Sequence, residues 1–451
     1  MNIVIVGDGK VGNALCERLA EEQHDVVVID TNPAVLAGTT DRLDVLGVVG
    51  NGATYSVQKE AGVDKADLLV AATASDERNL LCCLVAKKLG AKQTIARVRN
   101  PEYSQQMQHI KEELRLSMAI NPELATAEEI SRILRCPEAS RLSPFAGGKA
   151  EVVNFTLKEG DLAAGMSLAA LRSQVAKDIL VCGVQRGEDV IIPGGDFVLQ
   201  IGDKLLVVAS PRAIDAFFKK IRRGRSGVRS VMIAGGSRIA YYLARMLERV
   251  NIKTLIIDPD EGRCRELTQL LPGARIVLGD ASDQELLHEE GLEAMDAFVS
   301  LTGLDEQNIV ISMYASACKV GKVITKVNSI SFPAMMEKIG LDTVVSPKAA
   351  TADRIAAYVR AMQDSQGAAM ETMYKLMGGR IEALDFLVKG KAPFLGIPLK
   401  DLKRKPQTII ACIVRGGKAI IPDGNTDIRE NDNVIVVTAN DNINSLGDIL
   451  K

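Results

Sequence analysis

Val4-Ile5-Val6-Gly7-Asp8-Gly9-Lys10-Val11-Gly12 decides the reading of this chain. A short β-branched run enters Gly-x-Gly-x-x-Gly, the spacing of helical apolar residues begins at once, and Asp30 closes the next strand-like run eighteen residues after Gly12. Alone, the glycines would mean little; strand, glycine loop, helix, strand and acid in this order predict a dinucleotide-binding βαβ unit. The first glycine permits a tight turn, the second lets the backbone approach a pyrophosphate, and the third lets the helix pack on the strand. Free N–H groups of Asp8 to Gly12, including those of Lys10 and Val11, and the positive helix end are expected to hold phosphate oxygens.

The acid selects the ligand class. Asp30 accepts hydrogen bonds from ribose hydroxyls and repels a 2′-phosphate, and Thr31-Asn32 supply no arginine to reverse that preference. NAD(H) or an adenine nucleotide such as ATP or ADP is expected at the same sites, and NADP is not. Thr73 and Ala74, past the fourth strand, fall at the sheet's switch point. Arg97, ending the fifth, is read as a counter-charge to phosphate or as the partner of a surface carboxylate.

Working outward, the chain is written twice. Gly235-Gly236-Ser237-Arg238-Ile239-Ala240 with Asp258 repeats the loop and acid, Thr302 repeats Thr73, and Lys326 stands where Arg97 stood. Asp76, Glu77 and Asn79 recur as Asp305, Glu306 and Asn308, Arg186-Gly187 as Arg415-Gly416, and Ile191-Ile192-Pro193 as Ile420-Ile421-Pro422. The second loop has Ser237 and Ala240 in place of two glycines, so it is read either as a second nucleotide site or as a degenerate lobe that only dimerises.

Within each copy, short strands near 2–6, 25–29, 45–49, 67–72 and 93–98 alternate with amphipathic helices, which predicts a parallel sheet covered on both faces. The remainder, roughly 150–212 and 380–440, has short alternating runs broken by Gly, Pro and Asp and predicts a small β-rich lobe. The expected architecture is α/β: two tandem Rossmann-like domains, 1–137 and 228–365, each followed by a small α+β lobe, 138–220 and 370–451. The basic stretch Lys219 to Arg229 between the copies reads as a solvated linker or as a docking segment for an anionic surface.

Composition narrows the function. With 47% hydrophobic and 25% charged residues and no run near the roughly 18 apolar residues a spanning helix needs, no membrane span is expected. The start lacks the pattern of a secretory signal, so a cytoplasmic location is expected. A net charge of −2 gives no drive toward nucleic acid. The eight cysteines show no paired zinc spacing and read as small core residues, so no metal site is expected.

A catalytic inventory is poor. His24, His109 and His288 have no evident partner in sequence. Tyr55-x-x-x-Lys59 has the spacing of a short-chain dehydrogenase pair but follows the third strand, too early for that chemistry, and reads as a surface coincidence. Two nucleotide sites without a catalytic group predict a sensor and not an enzyme; an NAD-dependent oxidoreductase and a nucleotide-free scaffold are the rival readings.

The loop Gly7 to Gly12 with Asp30, the turn Gly50-Asn51-Gly52-Ala53, the stretch Arg97-Val98-Arg99-Asn100-Pro101 and the duplicated layout together resemble the TrkA family of Trk- and Ktr-type potassium uptake regulators, with its paired RCK N and C domains. The resemblance implies a regulatory ring, peripheral on the inner face of the cell membrane, docked on a membrane-embedded potassium-transporting subunit of Trk type. It implies a homo-oligomer, a tetramer first and a dimer second, whose shape bound nucleotide changes.

Overall fold

The structure, a computed structural model, describes residues 1–137, 139–221, 227–328, 336, 339–341, 343–363, 368–390, 392–440, 443 and 445–449. The chain divides into two compact units, 1–131 with 229–356 and 132–228 with 357–451. Like parts of the two copies thus share a unit. Residues 222–226 of the basic stretch lie outside the described residues.

The first unit holds two six-stranded parallel sheets. Strands β1 (Asn2–Val6), β2 (Asp25–Asp30), β3 (Leu46–Val49), β4 (Leu68–Ala71), β5 (Gln93–Arg97) and β6 (Met118–Ile120) stand in the order β3-β2-β1-β4-β5-β6. Helices α1 (Lys10–Glu21), α2 (Pro33–Thr40), α3 (Tyr55–Glu60), α4 (Asp76–Leu89) and α5 (Pro101–Glu113) connect them. The order reverses between β1 and β4, which opens a crevice at the strands' carboxyl ends. Val4, Val6, Leu69, Ala71 and Ala96 fill the core because strands covered on both faces must be apolar throughout. The sixth strand, three residues long, was too short for its alternation to be read.

The second copy repeats this sheet as β14-β13-β12-β15-β16-β17, with β12 (Ser230–Ala234), β13 (Lys253–Asp258), β14 (Ala274–Leu278), β15 (Ala297–Ser300), β16 (Lys322–Lys326) and the two-residue β17 (Val344–Val345). The two copies touch. Tyr242, on the helix after the second glycine loop, donates its hydroxyl to the Arg99 carbonyl at 3.3 Å and accepts from Asn121 Nδ2 at 3.1 Å.

The second unit contains two five-stranded antiparallel sheets. One, β10-β9-β11-β8-β7, is built from β7 (Arg141–Phe145), β8 (Ala150–Thr156), β9 (Ile179–Arg186), β10 (Asp189–Ile191) and β11 (Lys204–Ala209). The other, β18-β19-β22-β20-β21, is built from β18 (Ala368–Leu376), β19 (Ile381–Val388), β20 (Thr408–Arg415), β21 (Lys418–Ile420) and β22 (Asn433–Thr438). Phe145, Val152, Leu206, Ile381, Ala411 and Val437 pack together, so the sheets share one core. A Cβ on Gly183 would lie 2.9 Å from Ile381 Cδ1, which is why that strand position is glycine.

The repeated arginines have a structural cause. Arg186 grips the buried Asp203 carboxylate through Nε at 2.8 Å and a terminal nitrogen at 2.7 Å, and Arg415 grips Asp432 at 2.9 and 2.7 Å. Each carboxylate also accepts a backbone amide, from Gln200 and Arg429 respectively, which pins the turn entering the last strand.

Candidate nucleotide site

At the carboxyl ends of β1, β2 and β4 lies a cleft of about 420 Å³. Its floor is Gly7, Gly9, Lys10 and Val11, its flank Asp30 and Thr31, and its far wall Thr73, Ala74 and Arg97. Gly7 has a φ of +98°, and a Cβ there would press on the Thr73 backbone at 3.0 Å. A Cβ on Gly12 would stand 1.8 Å from the Gly7 carbonyl oxygen, so only glycine lets α1 start this close to the loop. A Cβ on Gly9 meets nothing within 4 Å: it faces the open cleft where a ligand would approach.

Asp30 organises the rim. Its Oδ2 accepts the Asp8 amide at 2.7 Å and its Oδ1 the Asn32 amide at 2.8 Å, while each oxygen keeps lone-pair capacity for a hydroxyl. Asp8 itself turns inward. Its carboxylate accepts from the Thr39 hydroxyl at 2.6 Å and Asn13 Nδ2 at 3.4 Å, and burial pushes its acidity weaker than an ordinary carboxylate. Asp8 therefore shapes the loop from below and presents no side chain to the cleft.

The far wall is cationic. Arg97 is largely buried at the end of β5, donates to the Thr73 carbonyl at 3.4 Å, and leaves its Nε–H without a partner. Burial first and the neighbouring Arg99 second lower its affinity for its proton; Arg238 of the second copy adds to that repulsion, against Glu123 and Asp76. Arg99 donates to the Ala74 carbonyl, and Arg78 also lines the cleft. Asn79 clamps the strand ends, accepting from the Thr73 amide at 2.8 Å and donating to the Arg97 carbonyl at 2.8 Å, and Asp76 accepts the amides of Arg99 and Asn100.

In the second copy Gly235 repeats the positive φ, at +100°, and Asp258 Oδ2 accepts the Gly236 amide at 2.6 Å. The loop is braced differently. Ser237 caps the helix by accepting the Ala240 amide at 3.4 Å, which occupies one N–H that an anion would otherwise take. Arg263 Nε donates to the Gly236 carbonyl at 2.6 Å, and Ile239 and Ala240 are buried in packing. Lys326 Nζ donates to the Thr302 carbonyl at 2.7 Å, and Asn308 repeats the clamp on Thr302 and Lys326. Burial lowers the Lys326 pKa, and Lys10 of the first copy pushes it the same way, partly offset by Asp305.

Residues 3–122 and 231–347 match the TrkA-N domain, and residues 152–222 and 384–451 the TrkA-C domain. The chain belongs to the TrkA family. It is 33% identical over 451 residues to a Trk system potassium uptake protein TrkA homolog of Archaeoglobus fulgidus, covering 100% of both chains. It is 31% identical to the Trk system potassium uptake protein TrkA of Halomonas elongata, covering 97% of this chain and 95% of that one. Among solved structures, the GsuK channel bound to NAD superposes with a TM-score of 0.63 at 17% identity, over 97% of this chain and 76% of that one. The GsuK structure bound to ADP gives 0.51 at 15% identity, over 80% and 70%.

In the first TrkA-N domain the structure thus gathers Gly7, Gly9, Lys10, Val11, Asp30, Thr73, Ala74 and Arg97 around one cleft, and assigns Asp8 and Gly12 to packing beneath it. Sequence reasoning missed Arg78, Arg99 and Asn51 as lining residues. Arg99 was legible in principle, since residues two apart on an extended strand share a face with Arg97. Tyr55 of the dehydrogenase-like pair is exposed on α3, away from the cleft lining. Among the described residues no helix is long and apolar enough to cross a membrane.

Proposed function

We propose that this chain is a nucleotide-sensing regulatory subunit of a Trk-type potassium uptake system, cytoplasmic and peripheral on the inner face of the membrane. NAD(H), or ADP and ATP, binds the first cleft through the backbone amides of Gly9 to Val11, the ribose acceptor Asp30 and the cations Arg97 and Arg99. The observation that carries this reading is the largely buried Arg97, its Nε–H unpartnered and its charge opposed by Arg99 and Arg238. Such a group is costly in the empty protein and is relieved by a polyphosphate anion.

Cations of both copies feel one another, Arg97 with Arg238 and Lys326 with Lys10. An anion that cancels this repulsion stabilises an arrangement of the copies that the empty protein disfavours, and only such differential affinity can gate a partner. The second copy, with Ser237 and Ala240 in its loop, binds more weakly. The chain assembles as a tetramer, or as a dimer, on a membrane-embedded potassium-conducting partner, and it is not an enzyme.

The test is potassium-analogue flux into vesicles containing a Trk-type transporter, with and without this chain, across NAD, NADH, ADP and ATP. Flux that changes with nucleotide for the wild type but not for Asp30→Ala supports the reading; nucleotide-independent flux overturns it. Consumption of NADH absorbance on adding a substrate would favour an oxidoreductase instead.

A further inference from the structure

The second Rossmann-like lobe carries a cluster that the nucleotide cleft does not use. Helix α11 (Gln284–Glu289) presents His288, the following 3-10 turn (Leu292–Ala294) presents Glu293, and Cys318 caps helix α12 (Asp305–Ala317). A nitrogen of His288, a carboxylate oxygen of Glu293 and the sulfur of Cys318 all lie within 4.8 Å of one another, and His288 Nδ1 is already 3.3 Å from Glu293 Oε1. A tetrahedral zinc ion with bonds of about 2.0–2.3 Å sets its ligands roughly 3.3–3.8 Å apart. Small rotations of the exposed His288 and Glu293 toward the half-buried Cys318 would close the shell.

The surroundings suit a bound ion. Tyr314, one turn before Cys318 on α12, places its hydroxyl 2.7 Å from His288 Nε2. With Nε2–H donating to the Tyr314 oxygen, the Nδ1 lone pair is turned toward Glu293. That is the outer-shell support metal-bound histidines need. Cys318 is also the one cysteine of the eight that is not buried. Burial pushes the thiols of Cys16, Cys82 and Cys412 up to about 12, which makes them inert.

In the register that pairs Thr73 with Thr302 and Asn79 with Asn308, the first copy has Lys59, Asp64, Val85 and Leu89 at these positions. The cluster is therefore particular to the second copy and is no consequence of the shared fold. No sequence motif reveals it, because its donors come from three elements. Imidazole, carboxylate and thiolate together favour a borderline-soft divalent ion.

We propose that His288, Glu293 and Cys318 bind a zinc ion, with water in the fourth position and Tyr314 as the positioning residue. The ion would tie α11 and its turn to the end of α12, whose opposite end carries the Asn308 clamp. This assignment stands independently of nucleotide sensing.

The experiment is titration of the full chain, stripped with a chelator, first with Co2+ followed by absorbance and then with Zn2+ in competition with a chromophoric chelator. The expected result is one equivalent per chain with a thiolate-to-cobalt charge-transfer band. Affinity falls at least about tenfold in Tyr314→Phe and further in Cys318→Ser and His288→Ala. Unchanged nucleotide binding and melting of the metal-free variants shows that they fold, and Glu293→Gln serves should either fail. Absence of the thiolate band in the wild type, or equal affinity in wild type and Cys318→Ser, overturns the site.

Discussion

At the scale of single residues, Asp30 and Arg97 make opposite demands on the protein. Replacing Asp30 by Ala removes the proposed ribose acceptor and the anchor of the Asp8 amide, so both ligand affinity and loop stability are expected to fall. Loss of hydrogen bonds to a charged group corresponds to about 1.5–3 kcal/mol, or roughly ten- to hundredfold in affinity for NAD and ADP. Arg97→Met is expected to weaken ADP by a similar factor while leaving adenosine almost unaffected, and to leave the melting temperature of the empty protein unchanged or higher. Calorimetry with ADP and adenosine, paired with thermal melts, checks both signs. The sequence made Asp30 and the glycines legible because their spacing is local and each has one geometric task. It hid the inward turn of Asp8, which depends on Asn13 of α1 and Thr39 of α2 meeting it, and the crowding of Arg97 by Arg99 and Arg238, which depends on the fold.

At the scale of elements, the different tasks of two fingerprint glycines become measurable. Gly12→Ala drives a methyl group into the Gly7 carbonyl and forces α1 away from β1, an overpacking cost of about 1–3 kcal/mol read as a lower unfolding midpoint. Gly9→Ala has open space and an extended φ of −76°, so it melts like the wild type but loses nucleotide affinity. In the second copy an alanine already occupies the packing position and Ser237 spends its hydroxyl on the helix end, so Ser237→Gly is expected to strengthen binding there. The five longer strands of each parallel sheet were readable from their alternation with helices, whereas Met118–Ile120 and Val344–Val345 exist as strands because β5 and β16 offer them an edge. Likewise β7 and β18 begin before the alternating runs read near 150–212 and 380–440, since their pairing with β8 and β19 is fixed by tertiary contact.

For the molecule as a whole, the duplicated Arg186–Asp203 and Arg415–Asp432 pairs brace the antiparallel lobes, and the first of them makes its lobe sensitive to acid. Arg415→Leu leaves Asp432 buried without a cation, an effect of about 3 kcal/mol or more in denaturant unfolding. Burial works to raise the Asp203 pKa, but the Arg186 hydrogen bonds and the Gln200 amide outweigh it and the net shift is downward. A carboxylate with a depressed folded pKa contributes stability above its unfolded value of about 3.9 and loses it as pH falls through the folded value. The stability gap between wild type and Asp203→Asn should therefore be full at neutral pH and close below about pH 4. Organisation at this scale was partly legible: the repeat announced two copies, but not that like domains join like domains in compact units, because that choice lies in the faces the sheets bury.

The most direct measurement is calorimetric titration of the full chain with NAD, NADH, ADP and ATP, repeated on Asp30→Ala and Asp258→Ala. The account expects saturable binding that Asp30→Ala removes at the tighter site, with Asp258→Ala affecting only a weaker one. Saturable binding that survives both substitutions, or no binding of any of the four by the wild type, would contradict it and leave an assembly scaffold in place of a sensor.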